Sequence, residues 1–102
     1  MHFAKKFKQT LRETNSHLVV GLDTDVSKIP VFLKSSVNPI AEFNNLVIEA
    51  TKEFACGYKL NIAFYERAID SGFAAIRSSL AAIPENLITI ADAKRGDIEN
   101  TT

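Results

Sequence analysis

At 102 residues with 46% hydrophobic content, the chain can bury one modest core. Twelve basic residues balance twelve acidic ones, so there is no net field to attract nucleic acid or an anionic membrane surface, and any partner must be recognised at a local site. The single cysteine, Cys56, cannot form an internal disulfide, and its setting in Phe54-Ala55-Cys56-Gly57-Tyr58 reads as packing in a reducing compartment.

The N-terminal stretch Met1 to Phe7 carries basic residues with no apolar segment behind them, and no run reaches membrane-spanning length; the reading is a soluble, cytoplasmic protein. Phe3, Phe7 and Leu11 recur at four-residue spacing among Lys and Arg, which predicts a short amphipathic helix ending near Asn15 and covering one end of the fold. His17-Leu18-Val19-Val20-Gly21-Leu22-Asp23 is an apolar run closed by an acid, the first strand, followed by a loop from Thr24 through Pro30. His17 reads as a solvated polar residue, since no second histidine stands at metal-ligand spacing. Asn38-Pro39 announces a helix, with Asn as N-cap and Pro in the first turn, and Ile40, Phe43, Val47 and Ala50 mark its apolar stripe.

Phe54 to Leu60 repeats the design of the first strand, an almost unbroken apolar run whose one charged residue, Lys59, stands at its C-terminal end beside Leu60. Asn61 is placed to cap a helix carrying Ile62, Tyr65 and Ile69, with Gly72 ending it; Phe73, Ile76, Leu80 and Ile83 continue as further helix up to Pro84. Leu87-Ile88-Thr89-Ile90-Ala91 is the third strand, and Asp97 or its neighbours start a further helix that Thr102 cuts short. The order of strands and helices, with crossovers of roughly thirty residues, predicts an α/β fold of parallel β-α-β units, and the continuous apolar strands predict a sheet covered on both faces. Residues 1–102 read as a single partial domain, without internal repeat or low-complexity linker.

The chemistry concentrates at strand ends. Asp23, Lys59, Asp92 and Lys94 all fall where strands run out, which is where parallel α/β folds collect ligand-binding and catalytic groups. Taken singly, a charge at a strand end merely terminates burial. Taken jointly, two acids and two lysines can alternate as a neutralised network that avoids large desolvation costs. Asp92 and Lys94 point to one side of their strand, with Ala93 on the other. Burial alone would favour the neutral amine of Lys94, whereas Asp92 beside it, with Asp97 close in sequence, favours the ammonium. A fixed ammonium suits stabilisation and protonation of a carbanion, as in decarboxylation or proton exchange; Schiff-base chemistry needs a neutral lysine.

The stretch Asp92-Ala93-Lys94-Arg95-Gly96-Asp97-Ile98, with Thr101 beyond it, resembles the D-x-K-x-x-D-I/V-x-x-T signature of orotidine 5'-phosphate decarboxylases, and Gly21-Leu22-Asp23 and Lys59 precede it in the family's order. That resemblance implies the N-terminal part of a (β/α)8 TIM barrel, an enzyme that converts orotidine 5'-phosphate to UMP and carbon dioxide, a homodimer with sites at the subunit interface, and no metal or organic cofactor. It further implies that Asp23 and Lys59 contact ribose hydroxyls, that Lys59 joins a charge network with Asp92, and that Asp92 lies near the substrate carboxylate. Lys94 would protonate the pyrimidine carbon that loses carbon dioxide, and Asp97, Ile98 and Thr101 would serve the partner subunit's site. A full barrel takes eight strands and about 250 residues. Three strands are predicted here, so the phosphate-gripping residues are expected beyond Thr102 and the 102-residue piece alone is not expected to be active.

Two other readings remain. A magnesium-dependent sugar-phosphate decarboxylase or aldolase of the same barrel superfamily shares the D-x-K-x-x-D core, but a metal site would want further carboxylates where Lys59 stands. Arg95-Gly96-Asp97 spells an adhesion tripeptide, a signal too short to be specific, and one opposed by the unpaired cysteine and the absence of a secretion signal.

Overall fold

A computed structural model of the chain describes residues 3–66 and 70–93. Three strands, β1 (Val19–Gly21), β2 (Gly57–Asn61) and β3 (Ile88–Asp92), form a sheet in the order β1-β2-β3, and both neighbouring pairs are parallel. Parallel neighbours need crossovers. One is supplied by α2 (Pro39–Thr51), the other by α3 (Ile62–Glu66) with α4 (Asp70–Ala82), while α1 (Phe3–Thr14) precedes the sheet. Two short 3-10 turns, Val26–Lys28 and Val31–Leu33, shape the segment between β1 and α2. Among the described residues no helix is long and apolar enough to cross a membrane.

The strands are shorter than the apolar runs that contain them. His17 and Leu18 precede β1, and Phe54 to Cys56 precede β2, with Phe54 exposed. Cys56 is buried, and its backbone joins the entries of all three strands: its N–H donates to the Leu18 carbonyl at 2.8 Å and its carbonyl accepts from Ile88 N–H at 2.9 Å. Beyond Gly21 the ladder runs one step further, with Leu22 N–H donating to the Lys59 carbonyl at 2.7 Å.

Alternation along the strands sorts the side chains. Val20, Leu22, Tyr58 and Leu60 join the core under the helices, where the Tyr58 hydroxyl donates to the Ile48 carbonyl of α2 at 3.3 Å. The N-cap of α2 is as expected: the Asn38 side chain accepts from Ala41 N–H, and Pro39 opens the helix. Its buried stripe is Ile40, Asn44 and Ile48, with Phe43 and Val47 flanking it. Ala50 is exposed, not in the stripe, because it lies about 200° around the helix from Ile48.

On α4 the expected stripe is rotated. Ala75, Ser79 and Ile83 face inward, whereas Phe73 and Leu80 are 50% and 46% exposed. Packing explains this: α4 lies against α2 and α3, and small residues permit a close approach. Gly72 does not end a helix but sits in the first turn of α4, where a Cβ would overlap the Tyr65 carbonyl of α3. Ile69 lies outside the described residues.

The first helix ends as expected, with Asn15 in the left-handed region (φ 51°) and its N–H donating to the Leu11 carbonyl at 3.0 Å. Its anchor is Thr10, buried, whose hydroxyl donates to the Asn86 carbonyl at 2.8 Å. Phe3 and Phe7 stack on each other on the exposed side, centroids 5.8 Å apart. The helix thus closes the end of the fold where β3 begins. His17 is exposed, as its sequence setting suggested.

Candidate functional site

The sheet register brings three of the sequence-predicted residues to one face. Gly21, Lys59 and Ile90 are direct neighbours across β1, β2 and β3, and the next layer toward the C-terminal ends contains Asn61 opposite Asp92. Residues two apart share a face, so Lys59, Ile90, Asn61 and Asp92 all stand on the side away from the helices. Asp23 lies two residues past Gly21, and its Oδ2 is 3.8 Å from the point where a Gly21 side chain would begin, which turns it to the same side.

Lys59 is not at the end of its strand. β2 continues through Leu60 and Asn61 because both remain paired with Ala91 and Asp92, which sets Lys59 one layer, roughly 7 Å, below Asp92. The four-carbon arm of a lysine can span that step. Half-buried Lys59 thus stands on the central strand with Asp23 and half-buried Asp92 above it on either flank, and the missing side chain of Gly21 leaves room beside it. Asp23 and Lys59 share the face without an ion pair between them. Lys94, Asp97, Ile98 and Thr101, and with them Arg95-Gly96, lie outside the described residues.

Asn61 caps the start of α3 as expected, its Oδ1 accepting from Ala63 N–H at 3.2 Å, yet it also occupies the Asp92 layer of the open face. On this face the two carboxylates and the amide oxygen can accept from the hydroxyls of a sugar, while the lysine can donate to those hydroxyls or to an anionic group. No group of three or more His, Cys, Asp or Glu positioned to hold a metal ion occurs among the described residues.

Beneath Asp23 lies a buried polar network that the strand and helix patterns did not announce as one. Thr24 Oγ1 donates to Asn44 Oδ1, and Asn44 Nδ2 donates to the Tyr65 hydroxyl and to Ser79 Oγ, each at 2.9 Å. The Tyr65 hydroxyl in turn donates to the Leu22 carbonyl, and Ser79 Oγ to the Ala75 carbonyl at 2.8 Å. All four side chains are buried, and every donor meets an acceptor. Burial pushes the Tyr65 phenol above its ordinary range, hydrogen bonds with Asn44 and Thr24 pull it partly back, and the nearby Asp23 charge raises it further. The sequence signal was Asn44 itself, a polar residue midway between Ile40 and Ile48 on a buried stripe. A cavity of about 300 Å³ opens beside this loop, lined by Gly21, Asp23, Asp25, Lys28, Phe43 and Phe64 among others.

Parallel strands joined by helical crossovers, with charged groups gathered toward the C-terminal ends on the face away from the helices, match the opening units of a (β/α)8 barrel. The curated relatives to which the chain is similar carry one name. The chain is 47% identical over 102 residues to orotidine 5'-phosphate decarboxylase of Dehalococcoides mccartyi, covering all of this chain and 36% of the relative. It is 39% identical over 99 residues to the enzyme of that name from Herpetosiphon aurantiacus, covering 97% of this chain and 37% of the relative. Among solved structures, a Toxoplasma gondii protein described as an orotidine-monophosphate decarboxylase matches 98% of this chain and 34% of its own, with TM-score 0.81 and 33% identity. Leishmania donovani UMP synthase matches 99% of this chain and 20% of its own, with TM-score 0.73 and 32% identity. No family model matches. The chain spans about a third of the length of the curated relatives it matches, and over its whole length it is similar to the N-terminal part of orotidine 5'-phosphate decarboxylases.

Proposed function

We propose that this chain is the N-terminal part of a homodimeric, cytoplasmic enzyme that decarboxylates orotidine 5'-phosphate to UMP in pyrimidine biosynthesis. The observation that carries the reading is the placement of Asp23, Lys59 and Asp92 on one face, in adjoining layers, within a chain similar along its whole length to enzymes of that name. In the reaction the bond from the pyrimidine ring to its carboxylate breaks, carbon dioxide leaves, and the electron pair stays on the ring carbon. The Lys94 ammonium donates its proton to that carbon and is reprotonated from solvent. Asp92 holds Lys94 charged and stands beside the departing carboxylate, while Asp23 and Lys59 grip the ribose hydroxyls. Asp97, Ile98 and Thr101 serve the neighbouring subunit's site.

The test is a chimera in which residues 1–102 replace the matching portion of the Dehalococcoides mccartyi enzyme. It should decarboxylate orotidine 5'-phosphate, followed by loss of pyrimidine absorbance. Lys94→Ala and Asp97→Ala should each abolish turnover. Mixing the two inactive variants under conditions of subunit exchange should restore one working site per heterodimer. A folded chimera without turnover, or a Lys94→Ala chimera near the parent rate, would overturn the catalytic reading; absence of recovery on mixing would place Asp97 in its own subunit's site.

A further inference from the structure

The reading of Asp23 as a ribose contact leaves open what holds an exposed carboxylate still two residues past a strand of three residues. The answer lies on both sides of it in the chain. On one side, the Leu22 carbonyl accepts from the Tyr65 hydroxyl of α3; on the other, the Thr24 hydroxyl donates to Asn44 of α2. Asn44 also donates to Tyr65, so the two anchors are one unit, and Ser79 ties that unit to α4. The peptide units flanking Asp23 are therefore clamped from beneath by groups that are themselves fully buried, while its side chain emerges on the open face. A buried network whose members are all satisfied is rigid, since any displacement leaves a donor or acceptor unpaired. A core that needed only packing would be served by leucine and phenylalanine at these positions.

We infer that Tyr65 and Asn44 are positioning residues for substrate binding: they touch no substrate and act by fixing the backbone on either side of Asp23. This rests on the proposed role of Asp23. A carboxylate already oriented loses less freedom when it accepts from a sugar hydroxyl, so the clamp contributes to substrate affinity and leaves the chemical step at Lys94 untouched.

The experiment is a double-mutant cycle in the complete enzyme that carries this chain, combining Tyr65→Phe with Asp23→Asn, with KM and kcat for orotidine 5'-phosphate measured for all four proteins. Tyr65→Phe should raise KM about tenfold and leave kcat within about twofold, the pattern of lost ground-state binding. In the Asp23→Asn background the same change should raise KM less than about twofold, because the group it positions is gone. Thr24→Val, which cuts the other anchor, should reproduce the KM effect, and Thr24→Ser, which keeps the hydroxyl, should restore the parent value. This arm decides the matter if Tyr65→Phe fails to fold. Equal factors for Tyr65→Phe in both backgrounds, or a Thr24→Val enzyme with parent KM, would overturn the clamp. An Asp23→Asn enzyme with unchanged KM would instead overturn the reading of Asp23 itself.

Discussion

Gly57 sets the spacing on which the open face depends. A Cβ at this position would lie 2.7 Å from the Ile88 carbonyl oxygen and 3.0 Å from Ile88 Cβ, closer than side-chain carbons approach backbone atoms. The constraint is one of space, since the described glycines have no positive φ. Glycine inside a strand marks such a close backbone approach, and here it lets β3 lie tight against the entry of β2. Two residues further along β2 on the same face stands Lys59, and two beyond that Asn61 opposite Asp92, so a shift at Gly57 is carried up the column to the candidate site. Gly57→Ala in the complete enzyme should cost about 1–3 kcal/mol, the usual range for overpacking, read as a lower denaturant midpoint with unchanged slope. A neutral substitution would show that the two strands separate freely. The neighbouring layer carries no such restriction, because the open space over Gly21 leaves a methyl group in ordinary contact with Asp23.

At the scale of the elements, the turn before α2 does more than start a helix. Asn38 Oδ1 accepts from Ala41 N–H at 3.2 Å, and Asn38 Nδ2 donates to the Ser71 carbonyl in the first turn of α4 at 2.9 Å, so one side chain caps one helix and ties it to another. Asn38→Ala should cost about 1–2 kcal/mol, and Asn38→Asp, which keeps the cap and loses the amide donor, should fall between the two in thermal unfolding. An aspartate as destabilising as alanine would mean that the tie, not the cap, carries the energy. This cap was legible in the sequence because Asn-Pro acts locally, as were the parallel β-α-β order and the end of α1 near Asn15. The face each helix buries was less legible. Thr10 is buried where Phe3 and Phe7 were favoured, Asn44 where Ala50 completed the pattern, and Ser79 where Phe73 and Leu80 stood out. In each case a neighbouring helix or strand chose the face by fit and by hydrogen bonding, which hydrophobicity along one element does not record. The site divides in the same way. Position at strand ends gathered Asp23, Lys59 and Asp92 on one rim, but the layer of each depends on how far pairing persists, and β2 persists to Asn61.

At the scale of the whole molecule, helices lie against one face of the sheet and the candidate site lies on the other. The sheet ends in two edge strands among the described residues, β1 and β3, and Val19 and Ile90 are partly exposed on its open face. Between β1 and α2, Val31, Phe32 and Val37 are 84%, 73% and 104% exposed. Open edges and scattered apolar surface of this kind favour pairing with another chain. In the proposed barrel, further strands would pair with both edges and close the open face around Asp23, Lys59 and Asp92. The 102-residue chain on its own should therefore melt without a sharp cooperative transition, bind an apolar dye such as ANS, and self-associate in sedimentation, with no turnover of orotidine 5'-phosphate. Joined to the remaining strands of the Dehalococcoides mccartyi relative, the same residues should melt cooperatively, with ANS binding reduced and activity present. A monodisperse, cooperatively folded 102-residue monomer would show that the buried network and the core around Tyr58 and Leu60 suffice for stability without the rest of a barrel.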